Sequence, residues 1–458
     1  MSSKTYLTDT HCHLDMDPLK KELPQVLKRA KQAGVERILC IGIDEESTEE
    51  AIKISKQYRG VFATAGYHPH DAKDYPEGFD ERVKQWAKNN EIVAIGEIGL
   101  DYHYDNSPRK TQREVFIRQL KLALEVDLPV IIHSRDAQED TYRILKDSGV
   151  TRGVMHCYSG SVEMAERFMA LGFYISIAGP VTFKNADKLR RVAQAIPDEY
   201  LLIETDAPYL APVPYRGKRN EPAYLVKTAE KVAELRGVTL EDISRITSLN
   251  ASRLFGIAPL PKKPAIAYKI RNSLYLNITN RCSNACSFCV KFHTDYVKGH
   301  NLRLTYEPEL EELKKEIGDP IKYKEIVFCG YGEPTIRLDL IKELSRWIKS
   351  KGGRVRINTN GHGNIIHKRN ILPELKGLID SMSISLDAQD AETYNRICKP
   401  LYENAFEEVV SFIKEAVNYI PEVTVTVVDL PEVDIEKCRR LAEELGARFR
   451  VRHYNVVG

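Results

Sequence analysis

The chain has 458 residues, of which 43% are hydrophobic and 29% are charged, and its formal net charge at pH 7 is +2. This composition excludes a disordered chain and is typical of a globular protein with two or three domains. The small net charge provides no general attraction to nucleic acid, so any contact with phosphate has to be local. No apolar run reaches the length of a membrane span, the N-terminus has no apolar signal core, and nine cysteines without secretory context predict reduced thiols in the cytoplasm.

Residues 1–257 alternate short apolar segments with amphipathic ones, which predicts an α/β domain. Amphipathic segments such as Leu19–Ala33, Arg109–Glu125 and Ser161–Leu171 are predicted helices. Eight β-then-α units in roughly 250 residues predict a TIM (β/α)8 barrel, and a doubly wound open sheet is the alternative. The predicted strands are Tyr6–Asp9, Arg37–Gly42, Val61–Gly66, Ile92–Glu97, Pro129–His133, Gly153–His156, Phe173–Ile177 and Leu201–Asp206.

Metal-type side chains stand at the ends of these predicted strands, on the face where such barrels build their active sites. Nitrogen and carboxylate ligands without cysteine suit zinc, manganese or magnesium, and their number exceeds what one zinc ion needs. The pattern therefore predicts a hydrolytic site with two metal ions. The residues are His11, His13, His68, Glu97, His133, His156 and Asp206.

The predicted division places His11 and His13 on one ion and His133 and His156 on the other, with Glu97 as the bridge. Asp206 either completes the first ion or takes a proton from the attacking water, and Glu97, Asp206 and His68 are the catalytic candidates. Cations at the same rim are candidates for holding phosphates: Arg135, Lys184, Arg216, Lys218 and Arg219. Tyr209 and Tyr215 lie among them and could stack a terminal base.

Six motifs in this half together resemble those of the TatD-like metal-dependent deoxyribonucleases, over residues 6–257. They are Thr10-His-Cys-His13, Gly66-Tyr-His-Pro-His70, Gly96-Glu-Ile-Gly-Leu-Asp101, His133-Ser-Arg135, His156-Cys-Tyr-Ser-Gly160 and Glu204-Thr-Asp-Ala-Pro208, and Asn250–Phe255 closes the match. The resemblance implies hydrolysis of phosphodiester bonds at the ends of DNA or RNA.

Residues 258–267 contain Ala258-Pro-Leu-Pro-Lys-Lys-Pro-Ala265 and are predicted to form a short, stiff, exposed linker. From residue 268 to 458 the alternation of strands and helices resumes. Six units are too few for an eight-stranded barrel and predict a partial (β/α)6 barrel. The predicted strands are Leu274–Thr279, Glu325–Gly330, Arg354–Thr359, Met382–Asp387, Glu422–Val428 and Phe449–Tyr454.

Three cysteines, Cys282, Cys286 and Cys289, follow the first of these strands in one short loop. Thiolates so close together repel each other unless a cation lies between them, so the spacing indicates a metal ion or an iron–sulfur cluster. An electron-transfer cluster ordinarily takes four cysteines, so three would leave one iron open to another ligand. The alternative is a zinc knob in which His293 supplies the fourth ligand.

This loop resembles that of the radical S-adenosylmethionine (SAM) superfamily, of the TatD-associated type. Three further segments on successive strands share the resemblance: Gly330-Tyr-Gly-Glu-Pro334, Asn358-Thr-Asn-Gly361 and Ser383-Ile-Ser-Leu-Asp387. It implies a [4Fe–4S] cluster, SAM, an electron donor and formation of a 5′-deoxyadenosyl radical. The implied SAM contacts are Gly330, Gly332, Glu333, Asn360, Ser385 and Asp387. Tyr331 interrupts the run of glycines that is usual in the family.

The sequence thus predicts a bifunctional cytoplasmic enzyme with a nucleic acid or nucleotide substrate for its first half. In one alternative, the second half activates a partner protein by radical transfer and the first barrel is a docking module. In another, the two halves catalyse unrelated reactions. The sequence identifies neither the substrate of the second half nor the oligomeric state.

Overall fold

The structure is a computed structural model that describes residues 6–452. The chain divides into two compact units, Met1–Leu260 and Pro261–Gly458. Among the described residues, no helix combines the length and the apolar character that crossing a membrane requires.

From residue 6 onwards, the first unit contains eight parallel strands and nine α-helices. The strands are β1 (Leu7–Cys12), β2 (Val35–Cys40), β3 (Val61–Ala63), β4 (Ile95–Asp101), β5 (Val130–Arg135), β6 (Gly153–Met155), β7 (Phe173–Ile177) and β8 (Leu201–Ile203). The helices are α1 (Leu23–Gln32), α2 (Glu45–Gln57), α3 (Phe79–Lys88), α4 (Arg109–Glu125), α5 (Gln138–Ser148), α6 (Val162–Ala170), α7 (Asp187–Ala195), α8 (Leu225–Arg236) and α9 (Leu240–Phe255).

These strands pair in chain order, in one sheet of β1 to β3 and a second sheet of β4 to β8. Single parallel bridges join the two sheets, one between Ala65 and Ile95 and the other between Cys12 and Ala207. The unit is therefore TIM-barrel-like, with parallel pairing that is reduced to isolated bridges at two places.

Each predicted strand of this half corresponds to an observed one, but several boundaries differ. His11 was expected after the first strand and instead lies within β1, because pairing with β2 continues to Cys12 and Cys40. Glu97 and His133 likewise lie inside β4 and β5 rather than at their ends. The predicted helix from Leu19 is shorter, since a 3-10 turn over Lys20–Glu22 precedes α1.

In the part of the second unit that the structure describes, up to Arg452, there are nine strands and seven α-helices. The strands are β9 (Ala267–Ile270), β10 (Ser273–Leu276), β11 (Tyr296–Val297), β12 (His300–Asn301), β13 (Ile326–Phe328), β14 (Val355–Thr359), β15 (Ser381–Ser385), β16 (Glu422–Val428) and β17 (Arg448–Arg452). The helices are α10 (Leu310–Ile317), α11 (Leu338–Ser350), α12 (Gly363–His367), α13 (Leu372–Leu375), α14 (Ala391–Cys398), α15 (Ala405–Tyr419) and α16 (Ile435–Glu444).

Seven of these strands form one sheet in the order β17-β16-β15-β14-β13-β10-β9. All neighbours pair in parallel except β9, which forms an antiparallel hairpin with β10. The predicted six-stranded parallel arrangement is therefore corrected to a mixed sheet with an additional edge strand. The end of the last predicted strand, at Tyr454, lies outside the described residues.

The second half of the predicted linker is attached to the second unit. The backbone N–H of Ala265 donates to the carbonyl of Asn301 at 2.7 Å. The side chain of Asn301 donates in turn to the carbonyls of Pro261 and Lys262, both at 3.1 Å. Pro259, Pro261, Lys262 and Lys263 are exposed, whereas Ala258, Leu260, Pro264 and Ala265 are half-buried.

Candidate functional site

The first candidate site is built around the buried carboxylate of Glu97. Its Oε2 atom lies 3.3 Å from Nε2 of His11 and 4.0 Å from Nε2 of His13. Its Oε1 atom lies 2.8 Å from Nδ1 of His133 and 3.3 Å from Nε2 of His156. The two oxygens of one carboxylate therefore face two separate pairs of imidazoles.

The other two predicted residues join the same cluster from different sides. Oδ1 of Asp206 lies 3.6 Å from Nε2 of His13 and 3.8 Å from Nε2 of His11. Nε2 of His68 lies 3.6 Å from Oε1 of Glu97. The structure thus brings all seven metal-type residues together. Their ligand atoms lie within 4.8 Å of one another in three groups: His11, Glu97 and His156; His11, His13 and Asp206; His68, Glu97 and His133.

The electrostatics of this cluster fit divalent cations. Burial alone would raise the pKa of Glu97, but the imidazoles of His156, His68 and His11 lower it well below its ordinary value. Nε2 of His11, the nitrogen that faces Glu97 and Asp206, is buried and has no hydrogen-bond partner among the described residues. Burying such nitrogens without a partner is unfavourable. The donor set matches what zinc, manganese or magnesium would satisfy.

A buried aspartate beneath the cluster holds two of its strand ends together. Asp9 accepts hydrogen bonds through Oδ2 from Oγ1 of Thr205 at 2.6 Å and through Oδ1 from the N–H of Thr205 at 2.9 Å. The N–H of His11 also donates to Asp9 Oδ1, at 3.3 Å. Burial raises the pKa of Asp9 to about 7 despite these bonds. Asp9 thereby fixes the segment that carries Asp206 against β1.

Two further carboxylates orient the imidazoles, and neither was predicted from the sequence. Oδ2 of Asp101 lies 3.0 Å from Nε2 of His133 and 2.9 Å from Nε2 of His70. Oε1 of Glu204 lies 2.9 Å from Nδ1 of His156. Asp101 and Glu204 both belong to motifs that resemble those of the TatD-like enzymes. A carboxylate near the end of a predicted strand was therefore the signal that could have identified them. Such partners set the orientation of metal-binding imidazoles.

The cations predicted to hold phosphates differ in their surroundings. Lys184 and Lys218 are exposed. The guanidinium carbon of Arg135 lies 4.7 Å from the centre of the Tyr104 ring. That of Arg216 lies 4.5 Å from the Phe183 ring.

Arg219 is engaged differently, because its Nη2 lies 3.3 Å from a carboxylate oxygen of both Glu22 and Glu221. Its charge is therefore already balanced inside the protein. Of the two predicted stacking residues, Tyr215 lies on the ring of Tyr224 at 3.8 Å. Tyr209 is 54% exposed, and its ring centre lies 6.2 Å from that of His13.

The second candidate site is the three-cysteine loop after β10, which is held against the end of α14. The N–H of Ala285 donates to the carbonyl of Cys398 at 3.0 Å, and that of Ser287 donates to the carbonyl of Ile397 at 2.8 Å. These bonds fix the loop by its backbone.

The spacing of the three thiols argues against the zinc knob. A tetrahedral zinc ion holds its thiolates about 3.8 Å apart. Among the described residues, Cys282, Cys286 and Cys289 form no group with ligand atoms within 4.8 Å of one another, either alone or with His293. A cluster that offers each thiolate its own iron accepts a wider spacing. Burial raises the pKa of Cys282 to about 12, so a bound cation is needed to favour its thiolate form.

Gly330 and Gly332 are required where the loop after β13 passes the cysteine segment. A Cβ atom at Gly332 would lie 2.5 Å from the carbonyl oxygen of Thr279, and one at Gly330 would lie 2.9 Å from Cγ of Asn277. Tyr331, the departure from the family pattern, is buried and donates its hydroxyl to the carbonyl of Thr294 at 2.6 Å. Its ring belongs to a small buried cluster with Tyr268 and Leu302.

The carboxylate of Glu333 is largely used within the protein. Its Oε1 accepts hydrogen bonds from the N–H and Oγ1 of Thr335, at 3.0 and 2.6 Å, and from Oγ1 of Thr359, at 2.7 Å. Its Oε2 accepts the N–H of Asn360 at 2.7 Å. Glu333 thus joins the loop after β13 to the end of β14. Its predicted contact with SAM would have to use the remaining lone pair of Oε2.

The other predicted SAM contacts lie in two places. Nδ2 of Asn360 donates to Oγ of Ser283 at 2.8 Å and lies 3.8 Å from Sγ of Cys282. Nη2 of Arg452 lies 3.3 Å from both Oγ of Ser385 and Oδ1 of Asp387. Asn360 is therefore placed at the cysteine loop, whereas Ser385 and Asp387 are placed beside the last strand.

The family model described as TatD related DNase matches residues 8–256, and that of the radical SAM superfamily matches residues 276–445. The "Uncharacterized metal-dependent hydrolase YabD" of Bacillus subtilis (strain 168) is 48% identical over 253 residues, which are 55% of this chain and 99% of that protein. The "3'-5' ssDNA/RNA exonuclease TatD" of Shigella flexneri serotype 5b (strain 8401) is 36% identical over 257 residues, with 55% of this chain and 99% of that protein covered.

A crystal structure of YJJV, a TatD homolog from Escherichia coli K12, has a TM-score of 0.54 and 33% sequence identity, and covers 56% of this chain and 100% of that chain. This likeness, together with the match over residues 8–256, covers the whole cluster around Glu97. The chain therefore belongs to the TatD-related DNase family, as a metal-dependent hydrolase domain that is followed in the same chain by a radical SAM domain.

Proposed function

We propose that the first unit hydrolyses phosphodiester bonds at the ends of DNA or RNA with the help of two divalent metal ions. The observation that carries this proposal is the position of Glu97, whose two oxygens face separate pairs of imidazoles. A carboxylate in that position is suited to bridge two ions. The Shigella flexneri relative, named as an exonuclease on single-stranded DNA and RNA, supports the choice of substrate.

In this proposal each residue of the cluster has one task. His11 and His13 would hold the first ion, and His133 and His156 the second. Asp206 would complete the first ion or accept a proton from water. When bound, Mg²⁺, Mn²⁺ or Zn²⁺ would polarise the phosphate and make water a stronger nucleophile. His68, 3.6 Å from Glu97, is placed to exchange a proton at the edge of the cluster.

The rim residues suit the recognition of a strand end. Arg135, Arg216, Lys184 and Lys218 would contact phosphates, and Tyr209 would stack on the terminal base. Arg219 would contribute less, because Glu22 and Glu221 already neutralise it.

Linear and circular single-stranded DNA of the same sequence provide the test. The full chain with Mg²⁺ or Mn²⁺ should shorten the linear strand, leave the circular strand intact, and lose this activity in excess chelator. Cleavage of the circular strand would contradict action at ends, and an intact linear strand would contradict hydrolysis of DNA.

We further propose that Cys282, Cys286 and Cys289 hold a [4Fe–4S] cluster that binds SAM, and that an electron donor reduces it. The three thiols in one loop, which backbone hydrogen bonds fix to the end of α14, and the glycines at the neighbouring loop support this proposal. The cluster and SAM together supply one-electron chemistry that yields a 5′-deoxyadenosyl radical. Protein reconstituted without oxygen should contain about four irons and release 5′-deoxyadenosine with dithionite. Zinc in place of iron, with SAM unchanged, would refute it.

A further inference from the structure

The main sheet of the second unit has one apolar and one polar face. On β14 to β17, residues such as Val355, Ile357, Val425 and Val451 belong to the core that includes the helices. Because successive side chains of a strand point to opposite faces, the residues between them lie on the other face. We call this the polar face, and its residues include Arg356, Asn358, Ser383, Thr426, Arg450 and Arg452.

Two arginines of the polar face each have a carboxylate partner. Arg356 donates through Nη1 to Oδ1 of Asn358 at 2.7 Å, and its Nη2 lies 3.1 Å from Oε1 of Glu325. Nη2 of Arg452 lies 3.3 Å from Oδ1 of Asp387. These contacts hold both guanidinium groups in fixed positions.

Arg450 has no such partner. Arg450 stands opposite Thr426 in the pairing of β16 with β17. No hydrogen bond or ion pair of its side chain is found within residues 6–452, and the residue is exposed at the edge of the sheet. Partial burial and the positive charges of Arg356 and Arg452 lower its pKa. Arg448, on the same face, lies 4.0 Å from Oε2 of Glu422. Of the four arginines that β14 and β17 place on the polar face, Arg450 is therefore the one without a carboxylate partner within residues 6–452.

The polar face reaches the edge of the sheet at which the cysteine loop lies. β10 and β13 to β17 run parallel, so their carboxyl ends share one edge of the sheet. The cysteine loop follows β10 at that edge, and Arg452 is the last described residue of β17. Ligands of open parallel sheets bind beyond the carboxyl ends of the strands.

We propose that the polar face binds an anionic group, a carboxylate or a phosphate, of the substrate on which the second unit acts, and that Arg450 makes the principal contact. The planar fork of an unpartnered guanidinium matches either oxyanion with two hydrogen bonds. Arg356 and Arg452 are already paired with Glu325 and Asp387, so the anion is left to Arg450. This inference rests on the proposed function of the second unit and specifies the class of its substrate.

Inorganic phosphate is the probe, and its binding to the full reconstituted chain is measured by calorimetry. Arg450→Gln should weaken the phosphate binding that belongs to this face about tenfold, the loss of one charge-assisted contact. Arg450→Lys keeps the charge without the planar fork. Its affinity for phosphate should therefore lie between those of the wild type and Arg450→Gln. The control is Arg439→Gln, because the Arg439 guanidinium lies 4.9 Å from the Phe449 ring, on the helical side of the sheet. All variants keep the same first unit, so phosphate bound there cancels in the comparison.

Iron content and SAM affinity are measured on the same samples. Both should be unchanged in Arg450→Gln. Equal phosphate binding in wild type and Arg450→Gln would overturn the inference. A loss of SAM affinity as large as the loss for phosphate would also overturn it, since the anion would then be the carboxylate of SAM. Absence of iron and SAM from the wild type would refute the proposed function, whereas the difference between the arginine variants would still report on the anion site.

Discussion

Nε2 of His133 lies 3.0 Å from Oδ2 of Asp101, while Nδ1 of the same ring lies 2.8 Å from Oε1 of Glu97. Burial alone would raise the pKa of Asp101, but its hydrogen bonds to His133, Tyr104 and His70 lower it. An ionised carboxylate only accepts hydrogen bonds, so Nε2 of His133 must carry a proton. Asp101 thereby presents the other nitrogen of the ring to the centre of the cluster.

Asp101→Asn should weaken metal binding at the second ion about 10- to 100-fold, because the amide no longer fixes the tautomer of His133. Titration of metal-free protein with Mn²⁺, followed by electron paramagnetic resonance, measures this directly. Asp136→Asn is the matched control, since Asp136 is exposed and contacts His103 rather than the cluster. An unchanged titration would show that Asp101 is not a positioning residue.

Glu97→Ala should lower the turnover of linear DNA by several orders of magnitude, because the proposed bridge between the ions is lost. The number of metal ions bound per chain should fall together with turnover. Glu36→Gln, which changes an exposed glutamate of β2, should alter neither quantity. Undiminished hydrolysis by Glu97→Ala would remove this residue from the mechanism.

Cys286→Ala should abolish cluster assembly and SAM cleavage and leave the hydrolysis of DNA by the first unit intact. The chain separates into two compact units, and each has its own buried core. Cys438→Ala removes a thiol from helix α16 and should retain the iron. Retention of four irons by Cys286→Ala would exclude this cysteine as a ligand.

Asn360→Ala should make the reduction potential of the cluster more negative. Nδ2 of Asn360 lies 3.8 Å from Sγ of Cys282, and donors to a cluster sulfur favour the reduced state. A net worth of about 0.5–1.5 kcal/mol for one hydrogen bond corresponds to a shift of about 20–65 mV for one electron. Redox titration measures it, with Asn418→Ala on helix α15 as the control. A shift in the positive direction would contradict the proposed donor role.

Acid should destabilise the second unit through His362. Burial lowers the pKa of His362 from 6.5 to about 4, so the folded unit binds fewer protons there than the unfolded chain. Its neutral form therefore contributes stability that is fully present above about pH 6.5 and is lost as the pH falls towards 4.

The chain has two tryptophans, Trp86 and Trp347. In a Trp86→Phe background, urea unfolding followed by the fluorescence of Trp347 therefore reports on the second unit. His362→Gln should reduce the slope of stability against pH between 4 and 6.5. An equal slope in both proteins would assign the acid sensitivity to other groups.

The local pattern of the sequence determined which elements form and where the metal-type residues stand on them. Short apolar segments between amphipathic ones predicted all eight strands of the first unit and the six parallel strands of the second. The position of His11, Glu97 and Asp206 near strand ends was sufficient to predict one cluster, because the carboxyl ends of consecutive parallel strands meet at one edge.

Tertiary structure alone decided which partners these residues have. Glu204 reaches His156, and Asp101 reaches His133, from other strands. Arg219 is neutralised by Glu22, which lies far away in the sequence. The antiparallel strand β9 and the burial of Tyr331 were also not predictable from spacing. A periodic pattern reports which face of an element is buried, but the choice of a hydrogen-bond or ion-pair partner depends on how distant elements pack, and no local pattern encodes that.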